Sequence, residues 1–212
     1  MAIARVVTLS ISPNHPINEP GKTQRSRAAD LRSAPRVSLL LRVAKLIVDD
    51  RELPCTIRDV SLTGMRARVF QPLPDHKALS VEVSPGERHC IDLVWIADDY
   101  AGFCFTDEVD IRWIVEDVRA ALPKRPVRLN VNLTATIGSE ADELAVAVQN
   151  ISQQGASIKC KKILMIDELV RFQTDRTAPI YAKVRWRRHP QYGIVFEQPF
   201  QLDELARLLS KL

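Results

Sequence analysis

The sequence predicts a mainly β protein made of two tandem copies of a small closed barrel, each followed by a C-terminal α-helix. Three observations predict this fold class. The second half of the chain repeats motifs of the first at a constant spacing. Each copy consists of short β-like segments separated by turn residues, and each copy ends in a segment with helical periodicity.

A sequence repeat divides the 212-residue chain into two similar units. The six residues DVSLTG at 59–64 recur as NISQQG at 150–155, which is a spacing of 91 residues. Chance matches of scattered words would not keep one spacing, so the two halves share one architecture. The same spacing relates Trp95, Gly102 and Phe105 to Trp186, Gly193 and Phe196.

The repeat also places the boundaries of three segments. Residues 1–31 are rich in Pro, Asn, Ser and Arg and cannot bury enough apolar surface to order themselves, so we expect a disordered or ligand-ordered arm. Residues 32–122 form the first unit and residues 123–212 form the second. Pro123 and Pro126 mark the joint, because proline cannot continue a preceding helix.

Each unit begins with segments that are typical of strands. Met65, Ala67 and Val69 alternate with arginines, which predicts a strand with one buried face. Short strands at this density predict a small barrel rather than a parallel sheet. The predicted strands of the first unit are Val37 to Val48, Leu53 to Val60, Met65 to Phe70, Ser80 to Val83, Cys90 to Ile96 and Gly102 to Phe105.

The last segment of each unit changes to a helical period. Apolar residues recur there every three or four positions, and acidic residues near the start complement the positive end of a helix dipole. The predicted helices carry Ile111, Ile114, Val115, Val118 and Leu122 in the first unit and Leu202, Leu205, Ala206 and Leu209 in the second.

Composition argues against several classes of protein. The formal net charge of +4 favours an anionic partner without naming one. No apolar run is long enough to span a membrane, and the first residues are a short apolar stretch for a signal peptide, so we expect a cytoplasmic protein. The sequence holds no nucleophile elbow, zinc-protease motif, P-loop or dinucleotide fingerprint, so we do not expect an enzyme.

The four cysteines and four histidines are scattered rather than clustered. They form no CxxC pair and no zinc spacing, so no metal site is predicted. The cysteines lie in or beside apolar runs and are expected to be small buried residues in a reducing compartment. Trp95 and Trp186 are likewise expected to pack in the barrel cores rather than to stack on a base.

Two arginines, Arg32 and Arg36, stand four residues apart at the entrance to the first strand. Pro35 disfavours a helical conformation at the residue before it, so an extended or turned segment presents both guanidinium groups. A guanidinium group can bond phosphate oxygens in pairs, bond the O6 and N7 atoms of guanine, and stack on a base. Two solvated arginines at a domain edge are the plainer reading of this pair alone.

The segment 59–64 is a strand-to-turn element with a second set of ligand-binding groups. The carboxylate of Asp59 can accept from guanine N–H groups, and the hydroxyl of Ser61 can bond a base or a phosphate. Gly64 permits a positive φ and the close approach of a ligand to the backbone. The structural alternative is a hairpin turn initiated by an Asx or Ser residue.

RxxxR, then (D/N)xSxxG, then a barrel and a C-terminal helix together resemble the PilZ domain family over about 180 residues in two copies. The resemblance implies six-stranded antiparallel barrels that bind cyclic di-GMP, and a segment before the barrel that reorders when the ligand binds. In the family, the arginines of the first motif bind phosphate and guanine, and the second motif contacts the other side of the ligand. Carried over to this chain, the ligand-binding residues of the first unit are Arg32, Arg36, Asp59, Ser61 and Gly64.

The second unit departs from the family pattern at one position. Lys124 takes the place of the first arginine, which keeps the charge and loses the bidentate fork and the stacking plane. Arg125 lies beside it, and asparagine replaces aspartate, which the family tolerates. A second, weaker site would therefore use Lys124, Arg125, Arg128, Asn150, Ser152 and Gly155.

The resemblance predicts a non-catalytic receptor or adaptor that couples cyclic di-GMP to a protein partner through the arm and the first unit. No cofactor besides this ligand and no DNA partner is expected. One alternative is a degenerate PilZ pair that acts as a nucleotide-independent interaction module. A basic barrel that binds RNA or single-stranded DNA is disfavoured, because only 6% of the residues are aromatic and these stand in strands predicted to be buried.

Overall fold

The computed structural model describes the backbone of residues 37–110, 126–139 and 142–210, with side chains for 42–110, 126–138 and 142–210. The predicted arm at 1–31 and the predicted helix of the first unit at 111–122 lie outside these residues. Within them the predicted fold class is confirmed, because the chain forms two closed six-stranded antiparallel barrels and a C-terminal helix.

The first barrel contains six antiparallel strands. Their order around the barrel is β1-β2-β3-β6-β5-β4, and β4 pairs with β1 to close it. Full closure leaves no open sheet edge. The predicted strands of this unit agree with the observed bounds to within three residues. The strands are β1 (Val37–Val48), β2 (Arg51–Ser61), β3 (Gly64–Val69), β4 (Leu79–Ser84), β5 (Glu87–Ala97) and β6 (Tyr100–Phe105).

The second barrel repeats this topology strand for strand. Its order is β7-β8-β9-β12-β11-β10, and β10 pairs with β7. The sequence repeat is therefore a structural repeat. The strands are β7 (Leu129–Ser139), β8 (Asp142–Ser152), β9 (Gly155–Lys159), β10 (Leu169–Gln173), β11 (Ile180–Arg188) and β12 (Gln191–Phe196).

Alternation along the strands fills each barrel with apolar side chains. In β3, Met65, Ala67 and Val69 are buried, whereas Arg66 and Arg68 lie on the outer face. This is the two-residue period of a strand with one buried face. Each barrel consequently has its own core cluster.

The helix α1 (Leu202–Leu209) packs against the core of the second barrel. Its buried face consists of Leu205, Ala206, Leu208 and Leu209. The Glu204 carboxylate accepts a 2.8 Å hydrogen bond from the backbone N–H of Gln201, which satisfies one donor at the helix N-terminus.

A polar contact joins the two barrels. The backbone N–H and the side-chain amide of Asn130 on β7 donate to the two carboxylate oxygens of Glu52 on β2, at 2.7 and 2.8 Å. Lys45, which is buried, lies 3.1 Å from Glu52 and 3.3 Å from Glu82. The lysine therefore offsets the charge of the carboxylate that bridges the barrels.

The expectation of four buried cysteines is only partly met. Cys55 and Cys160 are buried, and burial raises the pKa of the Cys55 thiol to about 12. Cys90 is exposed and Cys104 is half-buried, because both lie on the outer face of the first barrel between inward-facing residues. Among the described residues there is no group of three or more His, Cys, Asp or Glu that could hold a metal ion. No described helix is long and apolar enough to cross a membrane.

Truncation of the helix tests its contribution to the second barrel. Leu205→Ala removes a side chain that is 1% exposed and leaves a cavity, so we expect a loss of about 2 to 5 kcal/mol in the free energy of unfolding. Arg207→Ala, on the exposed side of the same helix, should change it by less than about 0.5 kcal/mol. Urea denaturation measures both variants, and equal losses would contradict this packing.

Candidate functional site

The serine of each turn motif closes its own turn. Ser61 ends β2, and its hydroxyl donates to the carbonyl oxygen of Gly64 at 3.2 Å. Ser152 makes the same bond to Gly155 at 3.2 Å in the second barrel. Both serines are buried. The hydroxyl hydrogen is therefore already used within the turn, and only its oxygen lone pairs could accept from a ligand.

The glycine of each motif allows two strands to approach closely. A Cβ atom at Gly64 would overlap the carbonyl oxygen of Phe103 on β6, and one at Gly155 would overlap that of Ile194 on β12. Neither glycine has a positive φ. The expected reason, a left-handed turn, is therefore wrong, and the neighbouring strand imposes the requirement.

Asp59 is held by an arginine on the neighbouring strand. Its carboxylate lies 2.5 Å from the guanidinium group of Arg66, and its side chain is only 14% exposed. The guanidinium carbons of Arg66 and Arg58 lie 5.7 and 5.9 Å from the centre of the Tyr100 ring. Asp59 is therefore oriented by Arg66, which itself lies over Tyr100. The sequence motifs did not indicate these two residues because both belong to other strands.

The two equivalent tryptophans lie on the outer surfaces of the barrels. Trp95 is 42% exposed and Trp186 is 37% exposed, so the expectation that they pack in the cores is wrong. A β-bulge precedes each one, and an extra residue reverses which face the following side chain occupies. Each indole rests on a glycine of the next strand, Gly102 or Gly193, where a Cβ atom would overlap the ring.

The second barrel has a cleft of about 140 Å³ at the motif residues. It brings Arg128, Ser152, Gly155 and Trp186 together, and Arg185 lies at its rim. The position equivalent to Arg185 in the first barrel is Val94, so this cation belongs to the second barrel alone. The full lining is Pro126, Arg128, Ser152, Gln154, Gly155, Ala156, Arg185, Trp186, Gly193, Ile194 and Val195.

Asn150 lies in the β8 strand and does not line the cleft. It pairs in register with Asn130 on β7 and with Ser157 on β9, and its side chain is half-buried. A larger hollow of about 510 Å³ lies elsewhere on this barrel, between residues 132–136 and 173–176, and contains none of the motif residues.

The remaining predicted site residues lie outside the described part of the chain. These are Arg32 and Arg36 before the first barrel and Lys124 and Arg125 before the second. Of the first-barrel set, the structure places Asp59, Ser61 and Gly64 at the β2–β3 turn. Of the second-barrel set, it places Arg128, Ser152 and Gly155 in one cleft.

A family model for the PilZ domain matches the chain twice, at residues 30–119 and 123–212. The chain belongs to the PilZ domain family. The resemblance predicted from the two motifs is thereby confirmed. No curated protein matches the sequence.

Several solved structures resemble this PilZ chain. PlzA of Borreliella burgdorferi, solved in complex with c-di-GMP, is 10% identical with a TM-score of 0.35 and covers 82% of this chain and 92% of its own. The Bacillus subtilis inhibitor of motility (MotI/DgrA) is 16% identical with a TM-score of 0.34, covering 82% and 95%. YcgR of Escherichia coli, also solved in complex with c-di-GMP, is 9% identical with a TM-score of 0.27, covering 80% of both chains.

Two glycine substitutions should distinguish close packing of two strand backbones, at Gly155, from packing of an indole ring on a strand, at Gly193. In Gly155→Ala the obstacle is backbone, so we expect a loss of about 1 to 3 kcal/mol in the free energy of unfolding. In Gly193→Ala the obstacle is the Trp186 ring, which can swing outwards. We expect a smaller loss together with a shifted indole N–H resonance in the NMR spectrum. An unmoved resonance would show that the ring does not rest on this glycine.

Proposed function

We propose that this PilZ protein is a receptor for cyclic di-GMP that couples the level of the nucleotide to a protein partner. The observation that carries the proposal is the cleft in the second barrel, where the family's turn motif, an arginine and an exposed indole converge. The first barrel has the same strands, the same turn bond and the same half-exposed tryptophan. It also has the complete pair of motifs.

The groups at the cleft match the chemistry of a guanine dinucleotide. A guanidinium group can bond phosphate oxygens and the O6 and N7 atoms of guanine. An exposed indole offers a face on which a base can stack. The cleft volume of about 140 Å³ is below the roughly 300 to 1,000 Å³ of common small-molecule pockets. It therefore suits one part of the ligand, and in this proposal Lys124 and Arg125, which precede the second barrel in the sequence, would contact the rest.

We propose the first barrel as the principal site, formed by Arg32, Arg36, Asp59, Ser61 and Gly64. Asp59 is oriented by Arg66, and its carboxylate is a group that can accept from guanine N–H groups. In the second barrel, Lys124 lacks the planar fork of arginine, which predicts weaker binding there. The boundaries at residues 32–122 and 123–212 give each site its own domain.

The receptor acts without catalysis in this proposal, and a protein rather than DNA is its partner. Binding can shift the conformation of the arm at residues 1–31 only if the arm contacts the ligand more favourably in one state. Arg32 and Arg36 directly follow the arm, so they are the residues that would provide this contact. The cytoplasm is the compartment that we propose for this second-messenger receptor.

A nucleotide-independent interaction module is the second candidate, and one observation favours it. The motif serines close their own turns, and the motif glycines relieve an overlap between strands. Both residue types would therefore be retained by a PilZ barrel that had lost its ligand. Arg32 and Arg36 stand outside this turn in the sequence, so substituting them distinguishes the two candidates.

Substitution of the second motif arginine tests the proposed site. In Arg36→Ala the bidentate contacts are lost, and we expect the affinity for cyclic di-GMP to fall at least about tenfold. The matched control is Arg51→Ala, which removes an exposed arginine at the end of β2 opposite to Ser61. Isothermal titration calorimetry of the full chain measures both variants.

An affinity that Arg36→Ala leaves unchanged would show that the assigned site is wrong. Absence of any binding by the unmodified protein would instead favour the interaction module.

Limited proteolysis tests the proposed role of the arm. Trypsin can cleave after Arg25 and Arg27, which lie within eleven residues of Arg36. If the ligand draws this segment onto the first barrel, saturating cyclic di-GMP should slow cleavage at these two sites severalfold. Cleavage after Arg51 serves as the internal control. Equal slowing at all three sites would indicate a general stabilisation and contradict a specific role for the arm.

A further inference from the structure

A loop of the second barrel presents three large apolar side chains to solvent. The 160–168 loop joins β9 to β10. Ile163 is 65% exposed, Met165 is 62% exposed and Ile166 is 48% exposed, whereas Leu164 between them is buried. Adjacent exposed apolar residues of this size are uncommon on a protein surface and indicate an interaction site.

The exposure does not come from a loosely attached loop. Along β11, the Asp167 N–H donates to the Val184 carbonyl at 2.8 Å, and the Val184 N–H donates to the Glu168 carbonyl at 3.1 Å. The Arg187 guanidinium group donates to the Leu164 carbonyl at 3.4 Å. Further bonds run from the Cys160 N–H to the Pro190 carbonyl, from the Tyr192 hydroxyl to the Lys162 carbonyl and from the Met165 N–H to the Glu168 carboxylate.

Cations are concentrated in the loop and on the strands β9 and β11 that adjoin it. Arg185 lies 3.2 Å from Asp167 in the loop, and Lys162 forms an ion pair with Asp142. Three carboxylates, those of Asp142, Asp167 and Glu168, stand against six cations in this region, so its net charge is positive. The cations are Lys159, Lys161, Lys162, Arg185, Arg187 and Arg188.

The first barrel shows that the fold does not require these features. The equivalent connection at residues 70–78 contains two prolines and two charged residues, and none of its residues is an exposed large hydrophobic. The exposed large apolar residues of that barrel are Leu62, Val94, Trp95 and Ile96, and the last three stand close to Asp98 and Asp99 in sequence. The combination of apolar tip and positive surroundings is therefore specific to the second barrel.

We infer that the 160–168 loop docks this protein on an anionic lipid bilayer. The three side chains enter the interfacial region, and the surrounding lysines and arginines contact lipid phosphates. A stable protein interface uses about 20 to 30 residues on each side, and three side chains on a narrow loop are far fewer. A bilayer surface needs only a few inserted residues when cations assist them, so charge and size favour lipid over a protein partner.

Vesicle sedimentation with the full chain and no nucleotide tests this inference. We expect binding to vesicles of phosphatidylglycerol and phosphatidylcholine, weaker binding at high salt, and no binding to phosphatidylcholine alone. Ile163→Ser/Met165→Ser/Ile166→Ser should weaken binding at least about tenfold, because the inserted apolar surface is lost. Val94→Ser/Ile96→Ser is the matched control and should bind like the unmodified protein. Because Leu164 is retained, thermal melting should be alike in both variants.

A charge-reversed variant provides a second measurement. Lys161→Glu/Arg188→Glu should lose more than about fivefold per substituted cation on anionic vesicles. Absence of vesicle binding by the unmodified protein, or a triple serine variant that binds as well as the control, would overturn the inference and make the loop a protein-binding surface. Neither result depends on cyclic di-GMP, so this inference and the proposed receptor function can fail separately.

Discussion

The outer surface of each barrel depends on one constraint. Strands β3 and β6 in the first barrel, and β9 and β12 in the second, approach so closely at the turn motif that only glycine fits there. Gly64 faces the Phe103 carbonyl, and Gly155 faces the Ile194 carbonyl. The serine three positions earlier then closes the turn onto the glycine carbonyl. The motif therefore has a structural role in the barrel that does not depend on a ligand. Any role in binding depends on the space that the β2–β3 and β8–β9 turns leave at the surface.

The β-bulges determine which groups reach the surface at these turns. A bulge in β5 and its counterpart in β11 turn Trp95 and Trp186 outwards, and each indole covers a glycine of the adjoining strand. In the second barrel the bulged residue itself is Arg185, which consequently lies at the rim of the cleft. Bulges near binding sites commonly redirect side chains in this way.

Duplication has kept the topology and changed the surfaces. Val94 occupies the position of Arg185, and the proline-rich connection at 70–78 occupies that of the 160–168 loop with its apolar tip. Because core residues determine the barrel and outward residues do not, the two copies are free to differ on their outer faces. Our proposals accordingly place nucleotide recognition mainly in the first copy and membrane docking in the second. Glu52 and Asn130 connect the two through paired hydrogen bonds.

The sequence by itself determined the repeat, the strand positions, the C-terminal helix and the family, because apolar periodicity and fixed spacing are local properties of the chain. Only the tertiary structure decided that Trp95 and Trp186 face outwards, that Arg66 orients Asp59, and that Arg185 joins the cleft of the second barrel. These facts depend on register shifts and on pairing between strands that are distant in sequence. A single inserted residue reverses the faces of a strand while leaving its composition unchanged.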